Sequence, residues 1–114
     1  MQNKRLHTPE GVRDIYNDEC EKKHYILNRM RHVIQSYGYR FIETPTFEFF
    51  DIFGQEVGTT PSKDLYKFFD REGNTLVLRP DMTPSIARAA SKYFPIETEP
   101  TRLCYEGNVF INNN

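Results

Sequence analysis

The sequence predicts an α+β domain with a mainly antiparallel sheet and helices packed on it. Apolar residues recur at helical spacing over residues 18–38. Two strand-like runs, residues 65–69 and 75–79, flank a short turn, and a second helix is indicated after residue 83. Strands joined by hairpins, with helices gathered to one side, are typical of this fold class.

Composition limits the size of the protein and the partners it can have. A chain of 114 residues suits one modest core, so we expect residues 1–114 to form a single domain. The 15 basic and 16 acidic residues nearly cancel. That balance argues against a nucleic-acid or membrane-surface partner. No apolar run approaches the ~20 residues of a membrane span, and the first residues lack the apolar core of a signal peptide.

The two cysteines, Cys20 and Cys104, lie far apart and match no metal-ligand spacing. We therefore expect reduced thiols, no metal, and a cytoplasmic location.

The first helix is predicted from apolar residues spaced three and four apart. Asp18 with Glu21 resembles a capping box at its start, and Gly38 is expected to end it as a C-cap. Residues 39–44 then alternate like a strand that must end, or form an edge, at Pro45.

Four phenylalanines follow Pro45 within a few residues. They offer more aromatic surface than a small monomer hides, so either an interface or core packing explains them. They are Phe47, Phe49, Phe50 and Phe53. Residues 54–64 contain two glycines and a proline, which predicts a mobile loop.

A hairpin is predicted where residues 65–69 and 75–79 flank the turn 70–74, with glycine at its left-handed position. The second strand then runs into a helix that Thr83 caps, with Pro84 in its first turn, and that extends to about Phe94.

The join between that strand and helix carries Arg79, Asp81 and Thr83, which could hold a small zwitterion. The alternatives are structural. Arg79 could pair with a surface carboxylate, Asp81 could cap the helix or pair with Arg79, and Thr83 could serve only as the cap.

A last strand is predicted over residues 102–111, with Gly107 in its middle. Such a glycine leaves room for another backbone or a ligand, although a bulge explains it equally well.

Four runs carry a family resemblance that covers nearly the whole chain: TPEGVRDI, YGYRFIETPTFE, LYKFFDREGNTLVLRP and RLCYEGNVF. Together they resemble the amino-terminal part of the class II aminoacyl-tRNA synthetase catalytic fold, of the histidyl-tRNA synthetase type. The resemblance implies that the first helix and strand form motif 1, which builds a homodimer interface containing Pro45, Phe47 and Phe49. It also implies that the strand entering Phe110 is motif 2.

The join separates two branches of this family. In the synthetase it reads RPEGT, and the glutamate and threonine hold the amino group of histidine; here it reads RPDMT. Carried over, this implies that Asp81 and Thr83, with Arg79, bind histidine. The residues expected to wall the pocket are Met82, Tyr105 and Gly107.

RPDMT resembles the regulatory subunit family of ATP phosphoribosyltransferase, a paralogue that has the fold but not the aminoacylation activity. The resemblance implies a partner, the short catalytic subunit that performs the first step of histidine biosynthesis, and histidine as an effector. It implies no catalytic residues and no cofactor. Ile111 stands where motif 2 has an arginine that grips the α-phosphate of ATP, and an alkyl group cannot replace those charged hydrogen bonds.

Two other classes stay open, a fragment of a histidyl-tRNA synthetase and a dimerisation module without a ligand. The parts of the fold after motif 2 lie beyond the 114 residues, which predicts an amino-terminal fragment or truncated copy. We expect such a piece to bind histidine weakly or not at all by itself.

Overall fold

The structure is a computed structural model that describes residues 4–53, 60–95 and 100–113. The chain divides into two compact units, Met1–Tyr39 and Arg40–Asn114. The single-domain expectation for residues 1–114 stays a prediction. Much of the predicted mobile loop, and most of the connector after the second helix, lie outside the described residues.

The first unit contains a short 3-10 helix, Lys4–Leu6, and helix α1, Asn17–Ser36. The predicted capping box is wrong, because the residue before the helix is Tyr16 and makes no side-chain cap hydrogen bond. Asn17 already begins the helix in the left-handed region, at φ 49°, which places Asp18 inside the first turn.

The start of α1 is tied to the preceding segment by an ion pair instead of a cap. Both terminal nitrogens of Arg13 donate to the two carboxylate oxygens of Glu19, each at 2.8 Å. At the other end the predicted stop is confirmed. Gly38 has φ 85°, open to a residue without a Cβ, and its N–H donates to the carbonyl of Gln35 at 2.9 Å.

The second unit is built on a three-stranded antiparallel sheet, which confirms the predicted sheet type and the hairpin. The strand order is β2, β4, β3, and a separate parallel pair joins β1 to β5. The strands are β1 Arg40–Phe41, β2 Phe47–Phe49, β3 Lys67–Phe69, β4 Thr75–Leu78 and β5 Leu103–Cys104.

Two predicted strands are much longer than those observed. Residues 39–44 contain only β1, and residues 102–111 contain only β5. After β5 the chain makes isolated bonds in place of a ladder: the N–H of Phe110 donates to the Arg79 carbonyl, and that of Asn112 to the Asp64 carbonyl. Neither β2 nor the single-turn helix α2, Phe50–Phe53, was predicted.

The four clustered phenylalanines divide between core and surface. Phe53 is buried with Leu65 and Val77, and Phe50 packs against that core. Phe47 and Phe49 lie on β2 and are 47% and 56% exposed. Core packing is therefore confirmed for Phe50 and Phe53, and the interface interpretation stays a prediction for Phe47 and Phe49.

Phe47 and Phe49 lie on one side of the sheet, because alternate residues of a strand and directly paired residues share a face. Phe47 pairs with Leu78, while Phe49 and Phe68 both pair with Leu76. The rings of Phe47 and Phe68 also meet edge to face, with centroids 5.5 Å apart. We call this set the aromatic face; its members are Phe47, Phe49, Phe68, Leu76 and Leu78.

The opposite side of the sheet packs against α2, where Val77 contacts Phe53, and meets helix α3, Thr83–Tyr93, at Glu48. Glu48 on β2 and Arg88 on α3 form an ion pair across this interface. No helix within the described ranges is long and apolar enough to cross a membrane.

Candidate functional site

The candidate site is the corner where β4 ends and α3 begins. The corner is fixed at its strand end from both sides: the N–H of Leu78 donates to the carbonyl of Tyr66, and the N–H of Arg79 to that of Thr46, each at 3.0 Å. Local sequence makes the turn, since Pro80 ends the ladder and Pro84 lies in the first turn of the helix.

Asp81 and Thr83 are brought together at this corner. The carboxylate oxygen Oδ1 of Asp81 accepts a hydrogen bond from the N–H of Thr83 at 3.0 Å. Thr83 itself begins the helix, so its predicted role as N-cap is wrong: the residue before the helix is Met82, and Asp81 satisfies the free donor. Asp81 is half-buried and Thr83 is exposed.

This geometry leaves groups available to a ligand. Asp81 forms no ion pair with Arg79 within the described part of the chain, and its bond to Thr83 uses only Oδ1. The Thr83 hydroxyl is likewise not needed as a cap. A carboxylate oxygen and a hydroxyl at one corner can accept hydrogen bonds from an ammonium group. Histidine binding by these residues stays a prediction.

Arg79 is 7% exposed, and its guanidinium is directed at backbone carbonyls. Nε donates to Asn108 at 2.8 Å, and Nη1 to Thr44 at 3.2 Å and Pro45 at 3.3 Å. Among the described residues the hydrogen-bond partners of Arg79 are carbonyls and not a carboxylate, so the alternative of a surface ion pair is wrong. Its predicted contact with histidine stays untested, and Nη2 is the nitrogen not engaged by these bonds.

The predicted pocket-wall residues fall in two places. Met82 is buried and lies against Gly107: a Cβ at position 107 would come within 3.2 Å of Met82 Cε. The side chain of Arg79 approaches the same point. The room left by this glycine is thus occupied by side chains of the corner.

Tyr105 borders an open groove of about 650 Å³ that lies along α3. Neither Asp81 nor Thr83 lines this groove, and the place of Tyr105 in a histidine pocket stays a prediction. The other lining residues are Ile86, Ala90, Ser91, Phe94, Pro95, Thr101 and Leu103.

Sequence reasoning missed the Glu48–Arg88 pair behind the corner. Oε2 of Glu48 accepts hydrogen bonds from Nε and Nη2 of Arg88, at 3.2 and 3.0 Å. The available signal was a charged residue placed between two phenylalanines of a strand, since alternation puts that charge on the covered face. Within residues 4–53, 60–95 and 100–113, no cluster of acidic, histidine or cysteine side chains could hold a metal ion.

Together, the antiparallel sheet and the RPDMT corner leading into α3 define part of a class II aminoacyl-tRNA synthetase-like catalytic fold. A profile described as histidyl-tRNA synthetase matches residues 11–114. The chain belongs to the histidyl-tRNA synthetase family.

Individual relatives point to both branches of that family. An ATP phosphoribosyltransferase regulatory subunit of Ruminiclostridium cellulolyticum is 48% identical over 110 residues, covering 96% of this chain and 26% of the relative. A histidine–tRNA ligase of Archaeoglobus fulgidus is 35% identical over 106 residues, covering 93% and 26%. The chain thus spans about a quarter of the length of these curated relatives.

A solved structure gives the same fold. The crystal structure of an ATP phosphoribosyltransferase regulatory subunit/histidyl-tRNA synthetase from Bacillus halodurans superposes with a TM-score of 0.84 at 35% identity. The match covers 99% of this chain and 30% of that one.

Proposed function

We propose that this chain serves as part of a non-catalytic regulatory subunit of ATP phosphoribosyltransferase, required for the first step of histidine biosynthesis. The observation that carries the proposal is the corner itself. It holds Asp81 and a buried Met82 where the synthetase pattern has glutamate and glycine. The name of the Ruminiclostridium relative, at 48% identity, supports the same branch.

The proposed partner is the short catalytic subunit of ATP phosphoribosyltransferase, which would perform the glycosyl transfer. The proposed effector is histidine, with its ammonium group at Asp81 and Thr83 and with Arg79 behind them. Histidine bound at this site would link the histidine concentration to the rate at which the catalytic subunit performs the pathway's first step. Free thiols at Cys20 and Cys104 support a cytoplasmic location.

Loss of synthetase activity follows from the same proposal. Ile111 is an exposed alkyl side chain at the position of the motif 2 arginine. It offers no donor to a phosphate, so ATP cannot be held for adenylate formation in the manner of the synthetase. We propose no cofactor.

Self-association through motif 1 is also part of the proposal. Pro45 and the exposed members of the aromatic face, Phe47 and Phe49, would be covered by a second copy. Exposed apolar patches of this kind mark interaction surfaces in soluble proteins.

The second candidate is a piece of a histidyl-tRNA synthetase. The 35% identity to the Archaeoglobus ligase favours it. ATP–pyrophosphate exchange that depends on histidine would identify this candidate. A dimerisation module without a ligand is the third, and it predicts neither exchange nor histidine binding.

The histidine site is tested in a chimera that joins this chain to the remaining three-quarters of the Ruminiclostridium relative. Calorimetric titration of histidine compares the chimera with its Asp81→Asn variant, each assembled with the catalytic subunit. Asp81→Asn keeps Oδ1 as the acceptor for Thr83, so the helix start is retained while the charge is lost. We expect weakening by about ten- to a hundredfold. Equal affinities would show that histidine is sensed elsewhere.

A further inference from the structure

The Arg79 side chain joins parts of the second unit that are far apart in sequence. Its nitrogens bond residues 29 to 35 positions away, on the segments before β2 and after β5. Its backbone repeats the pattern, because the N–H donates to Thr46 and the carbonyl accepts from Phe110. One buried residue therefore holds both neighbouring segments against the end of β4.

Gly107 lies directly against the guanidinium of Arg79. A Cβ added there would overlap Nη2 of Arg79 and lie 3.2 Å from its Cζ. Any larger residue must displace the guanidinium or move the segment that carries Asn108. The glycine and the arginine are thus complementary, although 28 positions separate them in sequence.

We propose that Arg79 is a positioning residue: through its fork of carbonyl bonds it fixes residues 107–112 beside the Asp81 corner, and Gly107 is required to admit that fork. The planar guanidinium suits this role, since it offers several donors in fixed directions where an ammonium offers a point charge. The inference rests on the proposed function only for what the corner binds. The arrangement itself can be measured without histidine.

The test is amide hydrogen exchange, followed by NMR on the full 114-residue chain. Phe110 and Asn112 report on the positioned segment, because their N–H groups donate to Arg79 and Asp64. The amide of Phe94, bonded to Ala90 at the end of α3, reports on the remainder of the unit. Arg88→Met serves as the matched control, since it removes a partly buried arginine of helix α3 that bonds Glu48 of the sheet.

In Arg79→Met we expect protection of Phe110 and Asn112 to fall by about ten- to a hundredfold, while that of Phe94 is unchanged. Arg79→Lys should recover only part of the loss, because it restores the charge without the fork. Arg88→Met should leave the protection of Phe110 unaffected despite its effect on global stability, because the isolated bond of Phe110 opens locally.

Gly107→Ala provides an independent variant, which keeps the proposal testable if Arg79→Met does not fold. It should reproduce the selective loss alone and add little in the Arg79→Met background, because the clash partner is then gone. Unchanged protection of Phe110 in Arg79→Met or in Gly107→Ala, or an equal fall at Phe94, would overturn the proposal. Simple additivity of the two substitutions would also overturn it. Because no histidine is present, such a failure would leave the proposed effector site to its own titration.

Discussion

Glu48 and Arg88 join the sheet to helix α3 through one carboxylate oxygen, which accepts two hydrogen bonds from the same guanidinium. The Glu48 side chain is 8% exposed and that of Arg88 is 32% exposed. Removing Arg88 should therefore destabilise the fold, because the Glu48 carboxylate would remain unpaired in a poorly hydrated environment.

We therefore expect Arg88→Met to lower the free energy of unfolding by about 1.5 to 3 kcal/mol, as measured by urea denaturation. Arg71→Met, at an exposed position in the hairpin turn, should have almost no effect. A double substitution that also changes Glu48→Gln should be less harmful than the sum of the two single changes. Full additivity would mean that the contact does not stabilise the fold.

The hairpin turn should respond to acid through Asp70. Hydrogen bonds from Asn74, first from its side chain and then from its N–H, together with those from Glu72 and Gly73, hold the pKa of Asp70 below its ordinary value of 3.8. The folded-state pKa is lowered, so the turn's extra stability is present above the ordinary value and is lost as the pH falls through the lowered one. A carboxyl NMR titration should place the Asp70 midpoint below that of an unstructured peptide. A midpoint at or above the peptide value would contradict this.

Asp70→Asn removes the titrating group but can still accept hydrogen bonds, so it supplies the control. In this variant the chemical shift of the Asn74 amide, which bonds the Asp70 carboxylate, should no longer move in the acid range. Persistence of the same transition would assign it to another carboxyl group.

Removing the exposed aromatic rings should prevent self-association. Light scattering at high micromolar concentration should show a dimer for the native chain and a monomer for Phe47→Ser with Phe49→Ser. The matched control is Phe69→Ser, because Phe69 is 71% exposed but pairs with Thr75 on the opposite face. A native chain that is strictly monomeric, or equal effects of both sets of changes, would count against the proposed interface.

Local chemistry made the hairpin and the end of α1 predictable. Asp70 bonds within its own turn, and Gly73 has φ 85°, so nothing outside residues 70–74 is needed to specify that turn. Gly38 is similar. In both places the determining contacts lie within a few residues.

Tertiary pairing decided what the sequence could not. The division between exposed Phe47 and buried Phe53 depends on the register of β2 against β4, and then on the single turn of α2. Thr83 was predicted as the N-cap, but the residue before the helix is Met82. The free N–H of Thr83 is instead bonded by Asp81, two residues earlier. Arg79 could be placed at the corner from sequence, but its carbonyl partners lie up to 35 residues away.

The Asp81–Thr83 part of the site could be predicted from the RPDMT run alone. Asp81 and Thr83 are two positions apart in sequence and hydrogen-bonded in the structure, so their proximity was predictable. The contact of Gly107 with Met82 was not, because it depends on how the segment after β5 returns to the corner.

The synthetase alternative makes an opposite biochemical prediction. ATP–pyrophosphate exchange with histidine should stay at background for this chain and for the chimera described above. Ile111→Arg in the chimera tests whether the missing arginine is the cause. If this variant gains exchange activity, the lack of activity in the unchanged chimera is due to Ile111. Exchange above background in the unchanged chimera would contradict the proposed loss of synthetase activity.

The most direct measurement of the central claim is the rate at which the short catalytic subunit forms phosphoribosyl-ATP with and without the chimera. We expect the subunit alone to be nearly inactive and the chimera to raise its rate. A control chimera should fail to do so if its first quarter comes from the Archaeoglobus ligase in place of this chain. No increase with the chimera carrying this chain, or an equal increase with both chimeras, would contradict the assignment of this chain to the regulatory branch.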